Sequence, residues 1–347
     1  MPILDKNNLE QVEKYNNFVR NRLHTSALQD LNWAHVKSKE WLNEAVYLEK
    51  NDNITACMSI LIRRFGKYSI MYAPRGPVCE VYDLTTVKDL IKEASPIAKK
   101  YNAFVLKFDP EVPYDEKLEA LYKNAGFKVE NRDNKKHELI QPMYNMILRI
   151  GGKTEEEIFK GYSEKTRYNI RVAEKKGVKV RFSRDKEDLK KFAELSNITA
   201  TRDKIILRDY DYYEKLLDSF DEKHLRIYIA EHDGEALSAA IALNYGGKLF
   251  YIYGASSNNK RNLMPNYLMQ QEMIKWAIET GCTEYDFGGV FNLDKSNGLY
   301  RFKEGFCKQE KVTKFIGEIS FVYKKMVYFG YEKILPIYKK LRGFIRK

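Results

Sequence analysis

The sequence predicts an α/β (α+β) protein built from two copies of one unit. The order helix, helix, strands, helix, strand can be read twice along the 347 residues, once on each side of "RIGGKT" at 149–154. Glycines at 126, 177 and 281 follow helical patterns at the place of a C-terminal cap. In the second half, "HDGE" and "YGGK" separate strand-like runs and read as tight hairpin turns. The likeness of the halves is architectural, with no residue-level repeat.

In the first half an amphipathic helix is expected around 8–22, then "LQDLNWAHVK" and the strand-like runs "EAVYLEK" and "ITACMSILIRRF". "YSIMYAPRGPV" reads as a strand ending in a Pro/Gly turn. A helix near 85–100 leads to the strand "AFVLKFDPEVP", and "DEKLEALYKNAGF" to a helix stopped by Gly126. The second half opens with a helix over 164–176, with Ser163 as N-cap and Gly177 as stop, and another around 186–201. Three strands follow within "LRIYIAEHDGEALSAAIALNYGGKLFYIYGAS", then a helix over 266–280 and the strand "TEYDFGGV".

A hydrophobic content of 44% with 31% charged residues, and 25 Tyr with 18 Phe, exclude disorder and predict a folded core. No apolar run approaches the roughly 18 residues a bilayer span needs, and "MPILDKNNLEQVEKYNNF" has no signal-like apolar core, so a cytoplasmic protein is expected. Cys57, Cys79, Cys282 and Cys307 are scattered and form no C-x-x-C pair, which indicates neither a disulfide framework nor a zinc site. Cofactors and metals are not expected. The five histidines form no H-E-x-x-H and no triad, and read as surface or turn residues.

The formal charge of +12 is concentrated in two places. Residues 160–185 hold nine Lys/Arg against three Asp/Glu, residues 318–347 eight against two, and the remaining chain is formally neutral. Charge of one sign gathered in this way marks a surface for an anionic partner, with a plain solvated face as the alternative. On the helix after Ser163, Arg167, Arg171 and Lys175 share one face at i, i+4, i+8, and Lys165 is a further cation of its first turn. Like charges at that spacing cost about 0.2–0.5 kcal/mol per pair.

"SSNNKRNLMPNYLMQQEMIKWAIETG" occupies a strand-to-helix junction, with no glycine between Gly254 and Gly281. A coenzyme A pyrophosphate is held there by backbone N–H groups that glycines leave accessible, so this junction lacks the usual cradle. "YDFGGV" contains D-F-G without any other kinase signature. In "GLYRFKEGF", Lys303 stands among Tyr300, Phe302 and Phe306, and reads either as a placed cation able to stabilise an oxyanion or as a snorkelling surface lysine. Asp109 in "LKFDPEVP" reads as a turn residue or a base.

Taken together these strings resemble the Fem-type aminoacyltransferases, the FemABX family, which build the peptide cross-bridge of peptidoglycan. "SEKTRYNIRVAEKKGV" is similar to one signature of the family, the run from "YIYGASS" to "YDFGGV" to a second, and "RFKEGF" to its closing one. "YAPRGPV", "LKFDPEVP" and "ELIQPMYNMILRI" fit as well. The resemblance implies two tandem acetyltransferase-like (GNAT-like) subdomains with a cleft between them, one of 1–150 plus 318–347 and the other of 151–317. It implies an aminoacyl-tRNA donor and a muropeptide acceptor, either lipid II or UDP-MurNAc-pentapeptide. It also implies the compact form without a helical-hairpin arm, because the connection from "RDYDYYEKLL" to "HLRIYIA" is short.

By the same resemblance, Lys37 and Arg208 contact the phosphates and sugar of the acceptor. Tyr212, Tyr251 and Tyr253 line its groove beside Phe302. Lys303 contributes to catalysis, and Asp109 is a carboxylate near the cavity. With no arm, Lys165, Arg167, Arg171 and Lys175 are the candidate tRNA-binding cations. The basic and apolar run 323–347 suggests peripheral contact with the inner membrane leaflet, or packing of its aromatics on the first subdomain. A monomer is expected. An acyl-CoA-dependent N-acyltransferase and a non-catalytic tRNA- or membrane-binding protein remain as alternatives.

Overall fold

The computed structural model describes residues 3–22, 25–131, 140–291, 293–310 and 312–334. The chain divides into two compact units, Met1–Gln141 with Phe315–Lys347, and Pro142–Lys314.

In the first unit, α1 (Leu9–Arg20) is capped by the Asn8 side chain and α2 (Leu31–Val36) by that of Asp30. Three antiparallel strands follow, β1 (Leu42–Lys50), β2 (Asn53–Phe65) and β3 (Tyr68–Ala73). α3 (Leu84–Lys100) then carries the chain to β4 (Ala103–Phe108), which runs parallel to β3. Its buried residues Val87, Leu90, Ile91, Ala94, Ile97 and Ala98 recur at three- and four-residue steps, the stripe that packs a helix on a sheet. All six residues of β4 are buried, as expected of a strand covered on both faces. α4 (Glu116–Asn124) and β5 (Lys128–Glu130) complete this stretch, and Gly126 turns the chain between them at φ +87°.

The second unit contains, in order, β6 (Tyr144–Arg149), α5 (Glu155–Gly161), α6 (Glu164–Lys175), β7 (Lys179–Ser183), α7 (Lys186–Asp203) and α8 (Tyr210–Ser219). Then come β8 (Leu225–His232), β9 (Glu235–Tyr245), β10 (Lys248–Ser256), α9 (Pro265–Glu279), β11 (Glu284–Gly289), α10 (Gly298–Phe306) and β12 (Thr313–Lys314). The last strand, β13 (Glu318–Val322), returns to the first sheet. The sheet orders are β1-β2-β3-β4-β13-β5 and β12-β6-β11-β10-β9-β8-β7.

Each unit therefore repeats one motif: an antiparallel three-stranded run, a helix, and a strand parallel to the third. In the first it is β1-β2-β3-α3-β4, in the second β8-β9-β10-α9-β11. Both hairpin turns of the second unit have positive φ at their two central residues, Asp233 and Gly234 in one, Gly246 and Gly247 in the other. That is the backbone of type I′ turns, which match the twist of the flanking strands.

One boundary differs from the sequence reading. β6 precedes the glycine pair at 151–152, yet it pairs with β11 and β12 and belongs to the second unit, which begins at Pro142. The Gly-Gly turn looks like a linker locally, while the partner of β6 lies more than a hundred residues along the chain. The absence of an arm is direct: α8 ends at Ser219 and β8 starts at Leu225. Among the described residues no helix is long and apolar enough to cross a membrane.

At the C-terminal end, α11 (Lys325–Phe329) leads into a turn of π-helix, and Tyr328 is buried against Phe104. Tyr331 packs on Phe104 and Phe65. Tyr328 and Tyr331 of this basic segment thus face the first sheet, while Met326 and Phe329 are exposed. The rest of the segment, 335–347, lies outside the described residues, as do His24 and His137.

Candidate active site

α10 is capped by the Asn297 side chain, which accepts from the Tyr300 backbone N–H at 3.0 Å. Phe302 lies with its ring centroid 5.0 Å from Tyr267 and 5.4 Å from Phe306, and Phe306 packs on Tyr162 and Phe287. The next residue, Lys303, is only 5% exposed, and its ammonium donates to the Gly289 carbonyl at 2.9 Å. A snorkelling lysine keeps its head in water, so burial removes that reading. Burial also pushes the Lys303 pKa down to about 8, against the upward pull of the Asp286 carboxylate.

Asp286 is wholly buried in β11. It accepts hydrogen bonds from the Asn145 amide at 3.1 Å and from the Gly288 backbone N–H at 2.7 Å, and the Lys248 ammonium lies 3.7 Å away. Pairing with β6 slips register between Asp286 and Gly289, and Gly288 takes φ +78° in that slip. A Cβ on Gly288 would lie 3.8 Å from the Lys303 ammonium. The D-F-G-G string is therefore a bulged strand end that carries a buried anion beside the buried cation. The sequence reading missed Asp286. An acid between the apolar residues Tyr285 and Phe287 was the available signal.

Tyr251 and Tyr253 were expected to line one groove, and the structure separates them. β10 is bulged between them: Tyr251 pairs with Ala242, but Tyr253 pairs with Ile241. Residues two apart on a strand share a face unless a bulge intervenes. Tyr251 consequently joins the core on the α9 side and leans over Gly254, where any side chain would collide with the Tyr251 ring. Tyr253 faces α8, where its hydroxyl donates to that of Tyr212 at 3.0 Å and its ring meets Tyr213. Arg208, exposed, stacks its guanidinium over Tyr212 at 5.0 Å. Arg208, Tyr212 and Tyr253 thus form one group, and Tyr251, Phe302 and Tyr267 another.

The second group walls a cavity of about 760 Å³ that reaches the N-terminus of α9, with Ser257, Asn259 and Arg261 at that end. Met264, which caps α9, adopts φ +58° without being glycine. A neighbouring cavity of about 530 Å³ shares Tyr267, Gly298 and Phe302 with it. Between α6 and α10 the approach is close: the Ser163 N–H donates to the Gly305 carbonyl at 2.8 Å, and a Cβ on Gly305 would run into the Thr166 hydroxyl.

In the first unit, Lys37 ends α2 and sets its ammonium 5.0 Å over the Trp33 ring. Asp109 is 4% exposed and follows β4. One of its oxygens accepts from the Tyr72 hydroxyl at 2.8 Å, the other from the Arg75 backbone N–H at 2.7 Å, where Arg75 stands at φ +55°. Arg75 also reaches Glu111 at 3.3 Å. Asp109 thus clamps the "APRGP" turn. Burial raises its pKa to about 7 in spite of the Arg75 charge.

The helix after Ser163 forms as expected, with the Ser163 side chain accepting from Thr166 N. Its cations do not act as one face. Arg167 donates to the backbone carbonyls of Lys160 and Tyr162 at the end of α5, and Arg171 stacks over Phe159 at 5.4 Å. These two tie α5 to α6. Arg171, Lys175 and Lys165 are exposed, and Lys165 lines the smaller of the two cavities above.

The model of the FemAB family matches residues 11–236 and 229–335. UDP-N-acetylmuramoylpentapeptide-lysine N(6)-alanyltransferase of Weissella viridescens is 34% identical, over 94% of this chain and 98% of its own. A lipid II:glycine glycyltransferase of Staphylococcus haemolyticus is 29% identical, over 98% of this chain and 100% of its own. The crystal structure of FemX superposes with a TM-score of 0.85 at 26% identity, covering 94% of this chain and 99% of that one. A tandem GNAT protein from the clavulanic acid biosynthesis pathway aligns with a TM-score of 0.53 at 9% identity, over 92% and 97% of the two chains, which is a likeness of fold alone.

Proposed function

The chain belongs to the FemAB family, and on that premise we propose that it is an aminoacyltransferase of peptidoglycan bridge synthesis. It moves an amino acid from the 3′ end of aminoacyl-tRNA to the side-chain amine of the stem peptide. The acceptor is a muropeptide, carried either by lipid II or by UDP, the two forms named for its relatives. The observation that carries the chemistry is the buried Lys303 ammonium on α10, the helix whose Phe302 walls both cavities.

The reaction is aminolysis of an ester. The acceptor amine attacks the ester carbonyl, a C–N bond forms, the C–O bond to the terminal ribose breaks, and the proton lost by the amine ends on the ribose hydroxyl. The ester is already activated, so the protein has to orient the reactants and stabilise the tetrahedral oxyanion. Lys303 supplies the positive charge for that oxyanion. A pKa near 8 keeps it mostly protonated at neutral pH and still able to exchange a proton. Lys37 and the group Arg208, Tyr212 and Tyr253 serve acceptor binding. Asp109 has both oxygens hydrogen-bonded, which favours positioning of the "APRGP" turn over direct proton transfer.

Peripheral contact with the inner leaflet and a monomeric state belong to the same proposal, with exposed Met326 and Phe329 beside the basic C-terminal segment. The test is a transfer assay. Purified protein receives a mixed pool of radiolabelled aminoacyl-tRNA with lipid II or UDP-MurNAc-pentapeptide, and products are weighed by mass spectrometry. One added amino-acid mass identifies donor residue and acceptor form together. No transfer from any aminoacyl-tRNA, with transfer from an acyl-CoA, would replace this reading.

A further inference from the structure

Two elements of the first unit meet at the start of β3, the turn between β2 and β3 and the helix α11. Phe65, at the turn, is 41% exposed, and its ring lies 6.1 Å from that of Tyr331, which follows α11. Tyr68 joins the two elements from the other side. The Lys67 ammonium of the turn stands 5.3 Å over its ring and the Lys324 ammonium before α11 stands 5.5 Å over it.

Tyr328 is buried against Phe104, and this contact fixes which side of α11 is turned out. Met326 and Phe329 are three residues apart, hence on one side of the helix, and are 89% and 61% exposed. Lys325 beside them and Lys67 at the turn are exposed as well. Residues 65–68 and 322–331 contain three lysines and no acid. The next acid along the chain, Glu332, is taken by Lys128 at 2.8 Å. Beyond the described residues the sequence keeps this character, with Lys339, Lys340, Arg342, Arg346 and Lys347 and again no acid.

Apolar side chains left in water beside cations of one sign match a surface that carries anions above hydrocarbon. A nucleic acid would engage the lysines and leave Met326 in water, because it offers no hydrocarbon layer. We infer that the β2–β3 turn and α11 form a docking surface for anionic phospholipid. Phe65, Met326 and Phe329 enter the boundary between headgroups and acyl chains, and Lys67, Lys324 and Lys325 meet the headgroup phosphates. The inference deepens the peripheral membrane contact proposed above and rests on it. The surface belongs to the unit that carries Lys37 and Asp109, so the membrane holds the protein by that unit.

The test is sedimentation of the full-length protein with vesicles of phosphatidylcholine, alone or mixed with phosphatidylglycerol, in the absence of donor and acceptor. M326S/F329S removes the apolar pair, K67E/K325E reverses one charge on each element, and K88E/K92E makes the same change of net charge on the exposed side of α3. The unaltered protein should bind the mixed vesicles at least tenfold more tightly than phosphatidylcholine alone. M326S/F329S and K67E/K325E should each weaken that binding tenfold or more, and K88E/K92E should stay within twofold. Because every substituted position is exposed, melting temperature and transfer to the soluble UDP-MurNAc-pentapeptide should hold in all three. Equal binding to both kinds of vesicle overturns the inference. So does undiminished binding by either M326S/F329S or K67E/K325E, or an equal loss in K88E/K92E. Vesicle binding without any aminoacyl transfer by the unaltered protein removes the enzymatic reading and keeps the surface, whereas transfer without vesicle binding removes only the surface.

Discussion

The Asp286 carboxylate accepts the backbone N–H of Gly288, two residues further on, at 2.7 Å, and so folds the end of β11 around its own side chain. The same carboxylate opposes the loss of the Lys303 proton. D286N keeps an oxygen for Gly288 and removes the charge. With an acceptor amine of pKa about 10.4, kcat/KM should climb tenfold per pH unit while Lys303 is protonated. It should then level off near pH 8, where the gain in free amine is cancelled by loss of the Lys303 proton. In D286N the Lys303 pKa falls further and the break moves to lower pH. A pH profile of both proteins decides it, and an unmoved break removes the coupling.

Lys303→Met retains the apolar stem and deletes the ammonium. Loss of one charge poised at an oxyanion costs about 10²–10³ in kcat, and acceptor KM should change by less than threefold. Melting temperature should hold or rise, because a buried charge is gone. Wild-type kcat in this variant would leave Lys303 a purely structural residue.

Gly305→Ala places a methyl against the buried Thr166 hydroxyl, which itself bonds the Ser163 cap at 2.9 Å. Overpacking of this kind costs about 1–3 kcal/mol. Urea unfolding should show a lower midpoint at unchanged slope.

Asp109 links stability to pH. Its pKa is raised from the ordinary carboxylate range to about 7, so between pH 4 and 7 the folded protein holds a proton that the unfolded chain has released. Stability from this group is therefore greatest at acid pH and is lost as pH rises toward 7. The melting temperature should drop by a few °C from pH 5 to pH 8 through this group, and D109N should flatten that part of the profile. An identical profile in the variant would assign the dependence elsewhere.

The sequence carried the fold wherever the signal was local. Ser163, Gly126, Gly177 and the two hairpin turns act through their nearest neighbours, and α6, α4 and the β8-β9-β10 run form where they were read. β6 was misplaced because its partners β11 and β12 are distant in the chain. For the candidate site, the resemblance put Lys303 and Phe302 in one closing motif, and the structure sets that motif on a helix, buries the first and leaves the second on cavity walls. Arg167 and Arg171 read in the sequence as anion-binding cations, since only packing reveals that the end of α5 lies beside them.

The extra residue in β10 works as a phase shift. Upstream of it the strand addresses one layer of the unit, downstream the other, so two tyrosines two positions apart answer to different neighbours. Substituting Tyr251 disturbs the cavity wall under α9, and substituting Tyr253 disturbs the hydroxyl pair with Tyr212. Close spacing normally means energetic coupling, yet here the two changes should simply add. In a regular strand two residues at this spacing would share a face, so the one extra residue, Ile252, is the partition between the two groups.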